Sequence, residues 1–140
     1  MIVLDTNVVS ELMRAVPDDQ VVDWLDRQPA TDVHLTAITV AELLYGVARL
    51  PDGRRKNELA EQIEEMLGED FDHRVIPFDE TSAGHYADIV VRRERAGRPI
   101  STADAQIAAT CRSYGAVLAT RNLEDFTGTG IASTNPWAER

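Results

Sequence analysis

The sequence has few of the residues on which several common kinds of site depend. A single cysteine, Cys111, excludes an intramolecular disulfide and a cysteine-rich zinc site. The three histidines, His34, His73 and His85, are scattered without the spacing of zinc ligands. The only lysine is Lys56, within a helical pattern, so a site that needs a lysine after a late strand is excluded as well.

Long apolar runs and basic leader segments are also missing. No run approaches the roughly 20 apolar residues that a membrane-spanning helix needs. No basic segment precedes Ile2, where the first apolar run begins, so we expect no signal peptide and no membrane partner. The 140 residues correspond to one domain of ordinary size, and we therefore expect a single domain, residues 1–140, in the cytoplasm.

Positive charge is scarce, since 24 acidic residues face 14 basic ones and the net charge is −10. This balance argues against broad, non-specific attraction to nucleic acid. It does not exclude a nuclease, because a bound metal ion changes the local charge. The bases cluster at 54–56 and 92–98 and are almost all arginine, which suits bidentate contacts to phosphate, although solvated helix faces explain such clusters equally well.

Short apolar runs alternate with helical patterns along the whole chain. Predicted strands are Ile2–Leu4, Val33–Thr36, Arg74–Phe78, Ala116–Thr120 and, more weakly, Ile131–Ser133. Predicted helices are Asn7–Arg14, Asp19–Gln28, Thr39–Leu50, Arg54–Leu67, Thr81–Ala96 and Ser101–Tyr114. This alternation predicts a three-layer α/β/α domain with a mostly parallel sheet of about five strands, whose order the pattern leaves open.

Asp5 stands at the end of the first predicted strand, where open α/β sheets place their chemistry. A carboxylate at this point can bind a divalent metal, accept a phosphoryl group or cap the following helix. Phosphoryl transfer of the haloacid-dehalogenase type needs a second acid two residues later, where this chain has Asn7. A receiver domain needs paired acids at the first strand and a late lysine, which the chain also lacks.

Further polar side chains follow other predicted strands or begin helices. Glu42 lies three residues after Thr39, a spacing typical of a capping box at a helix start. Asp104 lies three residues after Ser101, where the short Asp side chain suits the reciprocal capping role poorly and is freer to face outward. The loop after the strand Ala116–Thr120 offers two more candidates, Asn122 and Asp125.

Each of these residues, taken alone, is explained by a cap or a turn. Together they are polar groups on separate segments at one edge of the predicted sheet. Carboxylates gathered there repel one another unless a cation neutralises them. Hard oxygen ligands without histidine or cysteine suit Mg²⁺ or Mn²⁺, so a metal site formed by Asp5, Glu42 and Asp104 becomes the favoured interpretation.

Four segments follow one another in a recognisable order: the apolar start with Asp5–Asn7, the segment Ala37–Leu43 with Gly46, the segment Ser101–Ala108, and Ala119–Asn122 with Asp125–Phe126. Together they resemble the PIN-domain ribonucleases, and among them the VapC and FitB toxins of type II toxin–antitoxin pairs. The similarity extends to an Asn-Pro-Trp ending at Trp137.

The resemblance implies a Mg²⁺-dependent endoribonuclease, with Mn²⁺ as a second suitable ion. It assigns metal binding and catalysis to Asp5, Glu42 and Asp104. It implies that Thr6 hydrogen-bonds a ligand or water in the pocket. It also implies a homodimer, an RNA substrate and a cognate antitoxin whose basic side chain enters the acidic pocket. Either Arg121 of the matching segments or the arginine-rich helix near Arg92–Arg98 could hold a flanking phosphate.

The chain departs from the family pattern at Asn122, where members often carry a fourth acid. The amide lowers the charge of the site by one unless Asp125 reaches in from the next turn. A PIN fold without catalysis, acting as a scaffold that binds RNA or an antitoxin, is therefore the alternative to the nuclease.

Overall fold

The computed structural model describes residues 1–138, so Glu139 and Arg140, the last residues of the predicted domain, lie outside the described part. Its strands are β1 (Ile2–Leu4), β2 (Val33–Thr36), β3 (Val75–Ile76), β4 (Val117–Ala119) and β5 (Ser133–Thr134). Its helices are α1 (Thr6–Leu12), α2 (Asp19–Asp26), α3 (Ala37–Ala48), α4 (Arg54–Glu65), α5 (Glu80–Arg95) and α6 (Thr102–Tyr114).

The strands form one parallel sheet in the order β3-β2-β1-β4-β5. The chain leaves β1 toward β2 and β3 on one side and later fills β4 and β5 on the other. The order therefore reverses at β1 and β4, and a crevice forms outside the carboxyl ends of these two strands. Asp5 directly follows β1, and its backbone N–H donates to the carbonyl of Ala119, the last residue of β4, at 2.9 Å. Asp5 therefore lies at the crevice between the ends of these two strands.

Helices cover both faces of the sheet, which confirms the predicted three-layer α/β/α fold. Side chains along β1 and β4 alternate between the layers, as the period of two in a strand requires. Leu4 and Ala119 pack into a cluster with residues of α1 to α4. Val3 and Leu118 pack into a second cluster with residues of α5 and α6. Both clusters hold β1 in place, and with it the position of Asp5.

The predicted start of α3 is wrong by two residues. The helix begins at Ala37, and its cap is Thr36, whose hydroxyl accepts the backbone N–H of Thr39 at 3.1 Å. The predicted capping box between Thr39 and Glu42 therefore does not form. Glu42 lies in the second helical turn instead, so its carboxylate is released from capping and is available to other partners.

The remaining differences concern where elements end. The third and fourth strands are shorter than predicted, and β5 lies at Ser133–Thr134 rather than Ile131–Ser133. The α-helical part of α4 ends at Glu65 and continues as a π-helical turn, Met66–Asp70. Ile63 of α4 and Met66 of the π-helical turn are both buried in the core. No helix within residues 1–138 is long and apolar enough to cross a membrane.

Candidate active site

A cleft of about 540 Å³ opens where the carboxyl ends of β1 and β4 meet the starts of α1 and α6. All seven side chains that the sequence analysis selected line it together: Asp5, Thr6, Glu42, Asp104, Arg121, Asn122 and Asp125. Asn7, Ser10, Glu11, Arg14, Phe126 and Trp137 complete the lining. The convergence follows from the parallel sheet, which brings the ends of its strands to one edge.

Asp5 is both the cap of α1 and the most buried acid of the cleft. Its Oδ1 accepts the backbone N–H of Thr6 at 2.8 Å, and its Oδ2 accepts the hydroxyl of Thr120 at 2.7 Å. Only 5% of the residue is exposed. Burial raises the pKa of the Asp5 carboxyl above its ordinary 3.8; the two hydrogen bonds oppose the rise, and the negative charges of Asp104 and Glu42 add to it.

Thr120 connects Asp5 to the loop that follows β4. While its hydroxyl donates to Asp5, the same oxygen accepts the backbone N–H of Asn122 at 3.1 Å and faces the amide nitrogen of Asn7 at 3.5 Å. The residue is fully buried. Thr120 thus orients the Asp5 carboxylate and fixes the start of the loop, a role that the sequence analysis did not assign to it.

Glu42 is exposed on α3, and a side chain of α1 holds it in place. The hydroxyl of Thr6 donates to Glu42 Oε1 at 2.7 Å, and the Thr6 oxygen also lies 3.2 Å from the hydroxyl of Thr39. Thr6 thus links α1 to Glu42, and its predicted hydrogen bond to a ligand or water stays a prediction. Within residues 1–138, the hydrogen bond to Glu42 is made to Oε1, and the side chain lines the cleft.

Asp104 occupies the third position of α6, and the predicted cap is present. Ser101 accepts the backbone N–H of Asp104 at 3.2 Å. Partial burial raises the pKa of the Asp104 carboxyl above 3.8, Ser101 opposes the rise, and the charges of Asp125 and Glu42 increase it.

The loop after β4 brings both Asn122 and Asp125 to the cleft. Asp125 carries the charge that Asn122 lacks, and this charge acts on Asp104. Behind the loop lies Arg93 of α5, which is only 7% exposed. Its guanidinium donates to the carbonyls of Asp125 at 2.9 Å, Thr127 at 2.7 Å and Arg98 at 2.6 Å. Arg93 therefore fixes the backbone of the loop that presents Asp125.

The other arginines of the basic cluster at 92–98 do not line the cleft. Arg92 pairs with Asp88 at 2.9 Å, and Arg98 reaches the Glu124 carbonyl at 3.5 Å. Their contacts are with the protein itself. Arg121, from the segment after β4, is the predicted phosphate-binding residue that does line the cleft.

Sequence reasoning missed several residues of the lining. Asn7, Ser10 and Glu11 lie at helical spacing on α1, and Arg14 continues this spacing two residues beyond the helix end. The periodicity, starting from the Asp5 segment, is the signal that could have found them. Trp137 had no such signal, because it reaches the cleft from beyond β5 through tertiary packing alone.

The chemistry of the lining suits a hydrated hard cation. Carboxylate oxygens dominate, and no histidine or cysteine is among the described residues that line the cleft. Within residues 1–138, no three acidic, histidine or cysteine side chains are close enough together to enclose a metal ion. Mg²⁺ tolerates such an open arrangement, because it keeps several of its waters and takes only one or two protein carboxylates. The residues present therefore fit Mg²⁺ better than an ion that needs a closed protein cage.

Comparison with known proteins agrees with this geometry. The model of the PIN domain matches residues 2–129, so the chain belongs to the PIN domain family. Within that family it is 45% identical to Toxin FitB of Neisseria gonorrhoeae, over 98% of this chain and 99% of the relative. It is 42% identical to the VapC ribonuclease Y4jK of Sinorhizobium fredii, over 98% of both chains.

The fold agrees with that of a solved relative as well. The structure of FitAB bound to an IR36 DNA fragment matches with a TM-score of 0.92 and 44% identity, over 100% of this chain and 98% of the other. The chain is thus similar to toxins of the FitB and VapC type along essentially its whole length.

Proposed function

We propose that this protein is a Mg²⁺-dependent endoribonuclease and the toxin of a type II toxin–antitoxin pair. The observation that carries the proposal is the convergence of Asp5, Glu42, Asp104 and Asp125 on one cleft, where two of the carboxyls have raised pKa values. Perturbed acids in a cleft are typical of functional sites. The names of the relatives, a toxin and a ribonuclease, support the same activity.

The roles of the side chains follow from their positions. Asp5 and Asp104 would hold the cation, and Glu42 would bind it through water or orient the attacking water. When bound, Mg²⁺ polarises a phosphate oxygen and lowers the pKa of water in the site. Thr120 and Thr6 keep the carboxylates of Asp5 and Glu42 in place through their hydrogen bonds at 2.7 Å.

The charge of the phosphodiester increases as water attacks, and preorganised positive groups favour that change. Arg121 is placed on the cleft wall to supply one of them. Asn122 donates through its backbone N–H to Thr120 at 3.1 Å, so it supports the strand end rather than adding charge. Asp125 takes the position of the fourth acid.

Incubation of the purified chain with a pool of structured RNAs, in Mg²⁺ or in EDTA, tests the proposal. We expect cleavage in Mg²⁺ and none in EDTA, with Mn²⁺ able to replace Mg²⁺. RNA that is bound but left intact in Mg²⁺ would support the alternative of a catalytically weak scaffold. Mapping of the new 5′ ends in cellular RNA after induced expression would then identify the target.

We further propose a cognate antitoxin, a homodimer and a cytoplasmic location, all implied by the resemblance to the toxin family. A basic antitoxin side chain would be attracted to the acidic cleft and exclude the cation. Titration of the nuclease with purified antitoxin should abolish cleavage at a stoichiometric ratio, and cleavage that persists there would contradict this inhibition. Light scattering on the purified chain measures the mass of the proposed dimer.

A further inference from the structure

The cleft contains two arginines that the structure uses differently. Arg14 donates to both carboxylate oxygens of Glu11, at 2.9 and 3.1 Å, so a buried acid neutralises it. Arg121 forms no ion pair with any residue in the described range 1–138, although acids line the same cleft. Its guanidinium carbon lies instead 4.8 Å from the ring centre of Trp137. The charge of Arg121 is therefore available to a ligand.

Backbone hydrogen bonds hold both residues of the Arg121–Trp137 stack in place. The backbone N–H of Arg121 donates to Asn7 Oδ1 at 3.4 Å, and the preceding residue, Thr120, holds Asp5. The backbone N–H of Trp137 donates to Asn135 Oδ1 at 3.0 Å, and the half-buried indole packs against the core. The indole thus supports the guanidinium from the protein side, while Arg121 itself is exposed.

We propose that Arg121, backed by Trp137, is a stacking platform for one unpaired nucleobase of the RNA beside the scissile phosphate. This inference rests on the proposed nuclease function and adds the pair of residues that holds a base beside the scissile phosphate. A guanidinium plane stacks on a base while its N–H edges remain free to reach a phosphate.

The surroundings of the stack favour a base over a phosphate contact alone. A guanidinium binds a phosphate through its N–H edges and needs no aromatic ring behind its plane for that contact. Here the contact with the indole keeps the plane of Arg121 on the wall of the cleft, where cation–π attraction replaces pairing with an acid. In a duplex the bases are stacked on one another, so only an unpaired nucleotide offers a free face.

Binding of two matched oligomers separates stacking from charge. An Asp104→Asn background prevents hydrolysis, and fluorescence anisotropy in Mg²⁺ compares a short single-stranded RNA with an abasic ribose-phosphate chain of equal length. Arg121→Lys keeps the charge and removes the plane. We expect it to weaken binding of the RNA about fivefold or more, and to change binding of the abasic chain by less than about twofold.

Two further variants complete the design. Trp137→Leu removes the support and should weaken binding of the RNA in the same selective way. Arg27→Lys, a charge-conserving change at an exposed arginine that does not line the cleft, is the control and should leave both oligomers within about twofold. If Trp137→Leu fails to fold, as circular dichroism would show, the exposed Arg121→Lys decides alone.

Equal binding of the RNA by Arg121→Lys and its parent would overturn the platform. So would an equal loss for both oligomers, which would indicate a charge contact only, or no binding of the RNA by the parent. Cleavage of RNA by the unmodified chain in Mg²⁺ is measured separately. A failed platform is therefore distinguishable from a failed nuclease.

Discussion

The two walls of the cleft hold their acids by opposite means. On the strand wall (Asp5 with Thr6 and Thr120), the carboxylate is buried and each oxygen accepts a hydrogen bond. On the loop wall (residues 122–126 with Arg93 behind them), Asp125 is exposed, and it is the backbone that is fixed, through carbonyls bound to Arg93.

This difference explains how the chain tolerates Asn122. A buried, doubly bonded carboxylate such as Asp5 cannot move without losing its partners. The loop wall needs only a fixed backbone, because any exposed position on it can carry the acid. We therefore propose that the charge expected at 122 is supplied from Asp125, one turn later along the same loop.

The largest expected effect is on the strand wall. Asp5→Asn keeps the shape of the side chain but removes its negative charge, so the rate of RNA cleavage should fall by roughly 100-fold or more. This loss is larger than the one typically caused by replacing a residue that only hydrogen-bonds to a metal ligand. Stability should be unchanged or higher, since the neutral amide avoids the cost of burying a charge. Rates of cleavage and thermal melting measure the two effects.

Asp23→Asn, an exposed acid on α2, is the matched control and should leave cleavage unchanged. Cleavage by Asp5→Asn at the rate of the unmodified chain would remove Asp5 from the site.

The loop wall should respond through stability. Arg93→Ala leaves three carbonyls without their donor and should lower the free energy of unfolding by about 3 kcal/mol. Arg93→Lys should be intermediate, because a single ammonium group cannot reproduce the fork of the guanidinium. Urea denaturation measures both changes.

Arg95→Ala, on the exposed face of the same helix, should stay within about 0.5 kcal/mol of the unmodified chain. A loss for Arg93→Ala no larger than that of this control would mean that Arg93 does not hold the loop.

The loop wall can also be tested by moving its carboxylate from position 125 to position 122. Asp125→Asn should weaken Mg²⁺ binding roughly fivefold, the effect of about 1 kcal/mol for a charge near the cation in a solvated site. The double variant Asn122→Asp, Asp125→Asn restores the charge on the same fixed backbone and should recover most of the affinity. Titration calorimetry with Mg²⁺ measures it, and no recovery would show that position 125 is specifically required.

The smallest effect is the dependence of stability on pH. The pKa of Asp5 and of Asp104 is raised in the folded protein, so folding takes up protons between pH 3.8 and the raised values. In EDTA, the contribution of these groups to stability should therefore fall as the pH rises through that window. Urea midpoints measured from about pH 4 to about pH 7 should show a shallower fall for Asp5→Asn than for the unmodified chain. Identical slopes would contradict the assignment to Asp5.

Local sequence predicted the parts of the site that depend on strand ends. Asp5 was predicted because it follows an apolar run, and Asp104 because it follows the helix cap Ser101. The fold then brings both residues to the same edge of the parallel sheet. The start of α3 was missed because two threonines, Thr36 and Thr39, are both suitable caps, and the end of β2 decides between them.

Contacts between distant segments could not be predicted in this way. Thr120 bonds to Asp5 across 115 positions, and Arg93 bonds to the Asp125 carbonyl across 32. Neither pairing leaves a periodic or spacing signal in the chain. The stack of Arg121 on Trp137 is of the same kind, since it requires the segment after β5 to return to the cleft.

We propose above all that the acids of the cleft bind a divalent cation. Electron paramagnetic resonance of Mn²⁺ titrated into the purified chain tests this binding without any RNA. We expect bound Mn²⁺ that excess Mg²⁺ displaces, and we expect Asp104→Asn to abolish the binding. Equal binding by the unmodified chain and by Asp104→Asn, or no binding by either, would contradict the proposal.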